Sequence, residues 1–316
     1  MGLSGVIVID KPEGMTSFDV VARARRRFRT RSVGHTGTLD PMATGILPLC
    51  IAGSTRIARF LTCDDKTYEA ELQLGIATDS QDRLGQVIAQ APIPQLNDSD
   101  IESVLAAFRG PIRQVPPMFS ALRVQGERLY EKARRGETVE REARGIVIHS
   151  LELTGRPAAD RLSLRVHCSK GTYIRTLASD IGEALGCHAH LTALRRTQSG
   201  SFTLRQAVTL EEMLSADDES LASKFISERR ALDALPEILV GPEAGRWILN
   251  GRKLNAGDLP EIQKFSQGLP VRLTSAADLR MLAVAAREEE AVRYLRVFPP
   301  SESTPENHSR GAPFPP

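Results

Sequence analysis

GHTGTLDPMATGILPL, residues 34–49, is the most informative segment of this 316-residue chain. Glycines, hydroxyl side chains, one His and one Asp crowd its first part, and its last residues are apolar. Asp40 precedes Pro41, which disfavours helical backbone at Asp40 and favours an extended or turn conformation. The segment therefore predicts a loop that presents one carboxylate and is anchored by the apolar residues Ile46, Leu47 and Leu49. An Asp-Pro turn with structural glycines is the alternative.

Strand and helix patterns lie on both sides of this loop. Residues 5–10 are rich in Val and Ile and predict a buried strand. Thr16 and Asp19 have the spacing of a capping box at the start of a helix. The apolar face of that helix is predicted to contain Phe18, Val21, Ala22, Arg25 and Phe28. Residues 66–76 alternate between apolar and polar, which places Tyr68 on the inward face of a strand, where an aromatic residue is usually core.

The middle of the chain predicts further helices and strands. A helix is expected near 99–109, capped by Asp98 or Ser99, and residues 78–86 are expected to form a polar loop. Two strands and a basic helix are also expected, at 145–153, 161–168 and 127–135.

Arg175 is placed where a cation is locally unfavourable. The sequence predicts a helix from the cap residue Thr172 to Leu185, which puts Arg175 in its first turn. Because the start of a helix favours an anion, Arg175 is predicted to face a negative group from elsewhere, and Asp40 is the candidate. The alternative is an ordinary surface arginine.

Charge distribution is more informative than the formal net charge of +2. Arginines and lysines cluster at 23–31 and 123–144, which suits a face that follows a phosphate backbone, although solvated basic helices are common. The four cysteines are scattered, which favours a reducing compartment. No segment has the length of a signal peptide or a membrane span, so a cytoplasmic protein is expected.

Several common catalytic motifs are missing from the sequence. There is no Walker-type phosphate loop, no H-E-x-x-H, no EF-hand loop and no G-x-S-x-G elbow. Cys187, His188 and His190 lie close in sequence, but no further spacing completes a zinc site, so no metal is expected. The remaining candidates for a functional site are a carboxylate on a loop, an aromatic residue on a strand and an arginine at a helix start.

The segment at 34–49 resembles the catalytic motif of the TruB-type tRNA pseudouridine synthases, which modify the uridine at tRNA position 55 in the T arm. Four further segments resemble that family in the same order and cover most of residues 5–215. They are GVIVIDKPEGMTSFDVV at 5–21, KTYEAELQLG at 66–75, VPPMFSALRVQGERLYEKARRG at 115–136 and HCSKGTYIRTLASDIGEALG at 167–186.

The resemblance implies an α+β fold: a pseudouridine synthase core with a mixed, mostly antiparallel sheet flanked by helices, plus a small C-terminal PUA-like β-barrel domain. The catalytic domain is expected over 1–235, the PUA-like RNA-binding domain over 236–298 and a disordered tail over 299–316. Short strands expected in the second domain lie at 237–241, 269–275, 279–287 and 291–298. The alternation there is also compatible with a β-sandwich.

The resemblance also assigns roles to individual residues. Asp40 is implied as the nucleophile, Arg175 as its partner, and Tyr68 as the residue that stacks on the target base. Substrate contacts are implied for His35, which would fill the gap left by an everted base, and for three further residues, Lys11, Tyr173 and Leu194. A loop-stabilising hydrogen bond is the alternative for His35, and core packing is the alternative for Leu194.

Uridine isomerisation suits this set of residues. The glycosidic bond breaks, the uracil turns, and a carbon–carbon bond forms to the same ribose, so no redox change and no cofactor are required. The implied partner is the T arm of tRNA, with no membrane and no obligatory protein partner. Three alternatives are a guide-RNA-dependent synthase, an RNA-binding folding helper and a hydrolase with an Asp nucleophile.

Overall fold

The computed structural model describes residues 3–298 apart from positions 121 and 125. The predicted disordered tail at 299–316 lies outside the described residues. The chain forms two compact units, which divide between Ser227 and Glu228. The assignment of 1–235 to catalysis and 236–298 to RNA binding stays a prediction.

The first unit contains fourteen strands and seven helices among its described residues. The strands are β1 (Gly5–Lys11), β2 (Val33–His35), β3 (Thr44–Ile51), β4 (Lys66–Leu74), β5 (Ile76–Thr78), β6 (Val87–Gln90), β7 (Gly110–Gln114), β8 (Arg123–Val124), β9 (Glu127–Arg128), β10 (Arg144–Ala158), β11 (Arg161–Cys168), β12 (Ala189–Ser199), β13 (Phe202–Thr203) and β14 (Ala207–Thr209). The helices are α1 (Ser17–Arg27), α2 (Ala58–Leu61), α3 (Asp98–Ala107), α4 (Leu129–Arg134), α5 (Ile174–Ala184), α6 (Leu210–Ser215) and α7 (Asp218–Ala222).

A ten-stranded sheet organises this unit, with the order β14-β1-β3-β12-β4-β11-β10-β7. The remaining members β2 and β13 pair with β3 and β12. Within the described part of this sheet, only the pairs β1–β14 and β3–β12 are parallel. The predicted mixed and mostly antiparallel sheet is therefore confirmed.

Strand β4 lies at the centre of the sheet, between β11 and β12. The inward face of β4 carries Tyr68, Ala70, Leu72 and Leu74, all buried as the alternation predicted. The predicted extension to Ile76 is wrong. Gly75 has a φ of 84°, which ends the strand, and Ile76 begins β5 in a separate two-stranded sheet.

Helix α1 begins as the sequence predicted, since Thr16 and Asp19 form a reciprocal capping box. Its predicted apolar face is partly wrong. Phe18 is 64% exposed, whereas Ser17 and Val20 are buried. The face is rotated because Ser17 packs inward against the loop that carries Asp40.

The caps of two other helices also differ from expectation. Asn97, not Asp98 or Ser99, caps α3 by accepting from the N–H of Asp100. Thr172 does not cap α5, because its hydroxyl donates to the carbonyl of Ser169 at 2.9 Å. The N-cap of α5 is Tyr173, and no side chain caps the helix there.

The second unit is a small PUA-like β domain. Its elements are α8 (Glu228–Ala231), β15 (Glu237–Val240), α9 (Pro242–Leu249), β16 (Leu254–Asn255), β17 (Val271–Ser275), β18 (Met281–Glu288) and β19 (Ala291–Val297). The strands form one five-stranded sheet with the order β15-β17-β18-β19-β16. The four strands expected from the sequence are confirmed, and α9 and β16 were not predicted. No helix in the described part of the chain is both long enough and apolar enough to cross a membrane.

Candidate active site

Asp40 lies on the loop between β2 and β3, and the sheet holds both ends of this loop. Strands β2 and β3 pair antiparallel, with His35 opposite Leu49. Gly45 has a φ of 96°, and a Cβ at this position would lie 2.2 Å from the backbone oxygen of Arg196. Only glycine fits such a close approach. The loop is shorter than predicted, because the expected anchors are already part of β3.

Arg175 binds Asp40 through two hydrogen bonds. Its Nε donates to Oδ2 at 2.8 Å, and its Nη2 donates to Oδ1 at 3.2 Å. The side chain of Arg175 is 4% exposed and that of Asp40 is 34% exposed, so the carboxylate is open to a ligand while its cation is buried. Bidentate binding orients the carboxylate. The contact predicted from the position of Arg175 at the helix start is confirmed.

The other donors of Arg175 are also occupied. Nη1 donates to the carbonyl of Ser80 at 2.9 Å, and Nη2 donates to the carbonyl of Phe119 at 2.7 Å. Asp82 is a second, buried carboxylate, 3.7 Å from Nη1 of Arg175. It accepts from the Ser80 hydroxyl at 2.7 Å and from the Leu84 N–H at 2.9 Å. These contacts fix the guanidinium before any substrate arrives.

Asp82 was missed by sequence reasoning. Residues 78–86 were expected only to form a polar loop, and two carboxylates lie in that segment. Asp79 is exposed and Asp82 is buried. The segment has no periodic pattern of apolar residues, so the sequence does not indicate which of the two is buried. The signal lies in the tertiary contact with Arg175.

Tyr68 lies near Asp40 and is 8% exposed. Burial raises the pKa of its phenol, the guanidinium of Arg196 acts in the opposite direction, and the negative charge of Asp40 adds to the rise. The phenol is therefore protonated at neutral pH and lies within range of the Asp40 charge. This position is compatible with a stacking role and with the core role that alternation alone suggested.

Tyr173 and Leu194 lie in the same region. Burial raises the pKa of Tyr173, and the charges of both Arg175 and Asp40 act on its phenol. The side chain of Gln114 holds the backbone of Tyr173 at both its N–H and its carbonyl. Leu194 is 7% exposed and belongs to the same apolar cluster as Tyr68. Core packing therefore accounts for Leu194 without a ligand.

Two buried polar side chains support the loop from behind Asp40. The Nζ of Lys11 donates to the carbonyls of Met15 at 2.7 Å and Pro41 at 3.4 Å. The hydroxyl of Ser17 accepts from the N–H of Leu39 at 2.8 Å. The residues on both sides of Asp40 are thus fixed through their backbone.

Lys11 gives a testable pH dependence. Burial lowers its pKa from 10.5 to about 8, and the Asp40 charge opposes this shift. Between pH 8 and 10.5 the unfolded chain therefore binds more protons at Lys11 than the folded chain, so stability rises with pH. Relative to Lys11→Met, the wild type is expected to gain up to about 1.4 kcal/mol of unfolding free energy per pH unit in this window.

Urea unfolding of both proteins at pH 7 and at pH 9.5 measures the change. The comparison cancels the titration of all other groups that the two proteins share. Parallel stability curves for wild type and Lys11→Met would contradict the buried environment assigned to this amine.

His35 is half-buried at the end of β2. Its Nδ1 accepts from the N–H of Gly37 at 3.3 Å, which is the loop-stabilising contact considered above. Burial and the charge of Arg196 lower the pKa of the ring, so it is neutral at neutral pH. A role in filling the gap left by an everted base stays a prediction.

The sequence run 187–190 makes separate contacts. The Nδ1 of His188 lies 2.7 Å from Oε1 of Glu183, and the Nδ1 of His190 lies 3.0 Å from the carbonyl of Ile76. Within the residues that the structure describes, no group of three or more His, Cys, Asp and Glu side chains is placed to hold a metal ion.

Some arginines of the basic cluster at 23–31 are held by contacts within the protein. Arg27 donates to the carboxylate of Asp218 at 2.7 Å, and Arg25 donates to the carbonyl of Val33 at 3.3 Å. The exposed members of the cluster are Arg23, Arg26, Arg29 and Arg31. In the second cluster, the side chains of Arg123, Arg128 and Arg134 lie outside the described part of the chain.

The chain matches two protein-family models. Residues 25–174 match the N-terminal domain of the TruB family pseudouridylate synthases, and residues 175–235 match the C-terminal domain of tRNA pseudouridylate synthase B. A chain in the crystal structure of a Cbf5-Nop10-Gar1 complex is 25% identical, with a TM-score of 0.73, over 93% of this chain and 84% of that chain.

Curated bacterial relatives match over most of their length. The tRNA pseudouridine synthase B of Cupriavidus pinatubonensis is 43% identical over 92% of this chain and 92% of its own. That of Ralstonia nicotianae is 47% identical over 79% of this chain and 80% of its own. The fold and these relatives are those of a pseudouridine synthase, an enzyme that isomerises uridine in RNA. The chain belongs to the TruB family, whose substrate is tRNA.

Proposed function

We propose that this enzyme converts uridine 55 in the T arm of tRNA into pseudouridine, with Asp40 as the nucleophile. The observation that carries this proposal is the half-exposed carboxylate of Asp40, held at 2.8 and 3.2 Å by a buried arginine. A nucleophile must be oriented and open to its substrate, and Asp40 meets both requirements.

Asp40 would attack either the uracil ring or the anomeric carbon of the ribose. Cleavage of the bond between the base and the ribose then frees the uracil to turn. A new bond joins the ring carbon C5 to the ribose, and the bond to Asp40 breaks, which returns the free carboxylate. The hydrogen at C5 leaves as a proton, and N1, which has lost its bond to the ribose, takes up a proton. Atoms and electrons balance without an added reactant, and the product is an isomer of the substrate.

The residues around Asp40 have separate roles in this proposal. Tyr68 stacks on the uracil while it is detached, an interaction worth about 1–3 kcal/mol for a base on an aromatic ring. Because a base in a folded loop is stacked, it must be turned out to reach Asp40. His35 takes the place that the base leaves, and Lys11, Tyr173 and Leu194 shape the cleft.

The remaining parts of the proposal concern partners and location. We propose that the small β domain binds RNA, and that the enzyme acts without a protein partner or guide RNA in the cytoplasm. Three of the four cysteines are buried and none of the four forms a disulfide, as is usual in a reducing compartment. A hydrolase with a second, water-activating carboxylate is disfavoured, because the Asp82 side chain is only 7% exposed.

The test uses the purified chain and unmodified tRNA transcripts that carry tritium at C5 of uridine. Tritium release is expected from a transcript with uridine at position 55, and none from a transcript with cytidine there. Tritium release from both transcripts would contradict the proposal that position 55 is the modified nucleotide. Free uracil in solution would indicate a hydrolase instead.

A further inference from the structure

Arg196 lies on β12 and is one of the largest fully buried side chains, at 1% exposure. Burial of a guanidinium is costly unless its donors are satisfied. Within residues 3–298, positions 121 and 125 aside, Arg196 forms no ion pair with a carboxylate. Its donors are instead directed at backbone carbonyls.

Those carbonyls belong to both ends of the loop that carries Asp40. Nη2 donates to Gly37 at 3.0 Å and Nη1 to Thr38 at 3.5 Å, on the N-terminal side. Nε donates to Ile46 at 2.7 Å, on the C-terminal side. One side chain therefore spans the two ends of the loop.

The backbone of Arg196 contacts the same loop. Strands β12 and β3 pair in parallel, with Arg196 beside Gly45. The glycine lets the two backbones approach so closely that any Cβ would overlap the Arg196 carbonyl. The loop is thus held against β12 by main-chain contact as well as by the guanidinium.

The charge of the guanidinium also acts on the phenol of Tyr68, whose pKa it lowers. Tyr68 and Arg196 are partners in the register of β4 and β12. Arg196 therefore lies between the loop that carries the proposed nucleophile and the proposed stacking residue. The planar fork of an arginine reaches several acceptors at once, whereas a lysine ammonium acts as a point charge.

We propose that Arg196 is a positioning residue, which fixes the separation of the two loop ends beside Tyr68, and thereby sets where the Asp40 carboxylate meets the base. This inference rests on the proposed function of Asp40. Arg175 orients the carboxylate itself, and Arg196 orients the backbone that carries it. Its effect is expected on the chemical step, because it contacts the loop that carries Asp40 and, at 1% exposure, is too buried to contact tRNA directly.

The test compares Arg196→Lys and Arg196→Gln with the wild type. The matched control is Arg195→Lys, its neighbour on β12, which is paired with Asp10 at 2.7 Å. Single-turnover formation of pseudouridine, tRNA binding and the thermal unfolding midpoint are measured for each protein.

The single-turnover rate is expected to fall about 10- to 100-fold in Arg196→Lys and further in Arg196→Gln, since small misplacements of reacting groups cost about this much. The dissociation constant for tRNA is expected to change less than about twofold, and Arg195→Lys to keep the wild-type rate.

A wild-type rate in folded Arg196→Lys would overturn the inference. Losses of rate and binding in parallel with a lowered unfolding midpoint would show a scaffold residue and overturn it as well, as would failure of both Arg196 variants to fold. An inactive wild type would overturn the proposed function first, and this inference with it.

Discussion

Asp40→Asn is expected to abolish pseudouridine formation while tRNA still binds. The amide has almost the shape of the carboxylate, but it is a poor nucleophile and carries no charge for Arg175 to hold. We expect the single-turnover rate to fall by about 10⁴-fold or more, the range seen when a nucleophile is removed from an enzyme. Tritium release measures the rate, and filter retention of labelled tRNA measures binding.

Asp160→Asn is the control for this substitution. Asp160 is an aspartate at the turn between β10 and β11, where it accepts from the Gln73 side chain at 3.1 Å. Its variant is expected to keep the wild-type rate. Turnover by Asp40→Asn at more than about a hundredth of the wild-type rate would remove Asp40 from the role of nucleophile.

Arg175→Lys is expected to slow the reaction about 100-fold or more, although the positive charge is kept. A lysine ammonium cannot donate in parallel to both oxygens of Asp40. In the wild type, the carbonyls of Ser80 and Phe119 accept hydrogen bonds from the guanidinium. With lysine in its place, at least one of these two carbonyls loses its donor. Asp82 would then lie beside a cation that is held less firmly in its orientation.

Arg161→Lys is the control for Arg175→Lys. Arg161 pairs with Glu71 at 2.5 Å and is partly exposed, so a lysine can replace it at little cost. Single-turnover rates at saturating enzyme separate the chemical step from tRNA binding. If Arg175→Lys had the wild-type rate, the bidentate contact would have no part in catalysis.

The strands and the Asp40–Arg175 contact could be predicted from sequence for clear physical reasons. Alternation along β4 requires two faces of different polarity, and one of them must be core. The first turn of a helix disfavours a cation, so a carboxylate from elsewhere was expected beside Arg175. Both arguments use only residues that are close in the chain, so both can be made from one sequence.

Helix caps were less predictable, because several residues competed for each one. Asn97, Asp98 and Ser99 all have side chains that can accept from a helix N–H, and only the backbone at Asn97 decides among them. Thr172 has a suitable side chain but uses it for Ser169. In neither case does the type of side chain by itself identify the cap.

The buried polar residues around Asp40 were beyond local reasoning. Asp82 and Ser17 are recognisable only by what they contact in three dimensions. The alternation of Leu194 and Arg196 along β12 is the one signal that could have found Arg196, since it places an arginine on the inward face of a strand. An arginine on that face requires polar partners nearby.

Mapping of pseudouridine at nucleotide resolution tests the role of Asp40 most directly. Full-length unmodified tRNA is incubated with excess wild-type enzyme or excess Asp40→Asn, and every uridine is then read. We predict one modified site, in the T loop at position 55, with the wild type, and no modified site with the variant despite equal tRNA binding. Modification of the same uridine by Asp40→Asn would contradict the account.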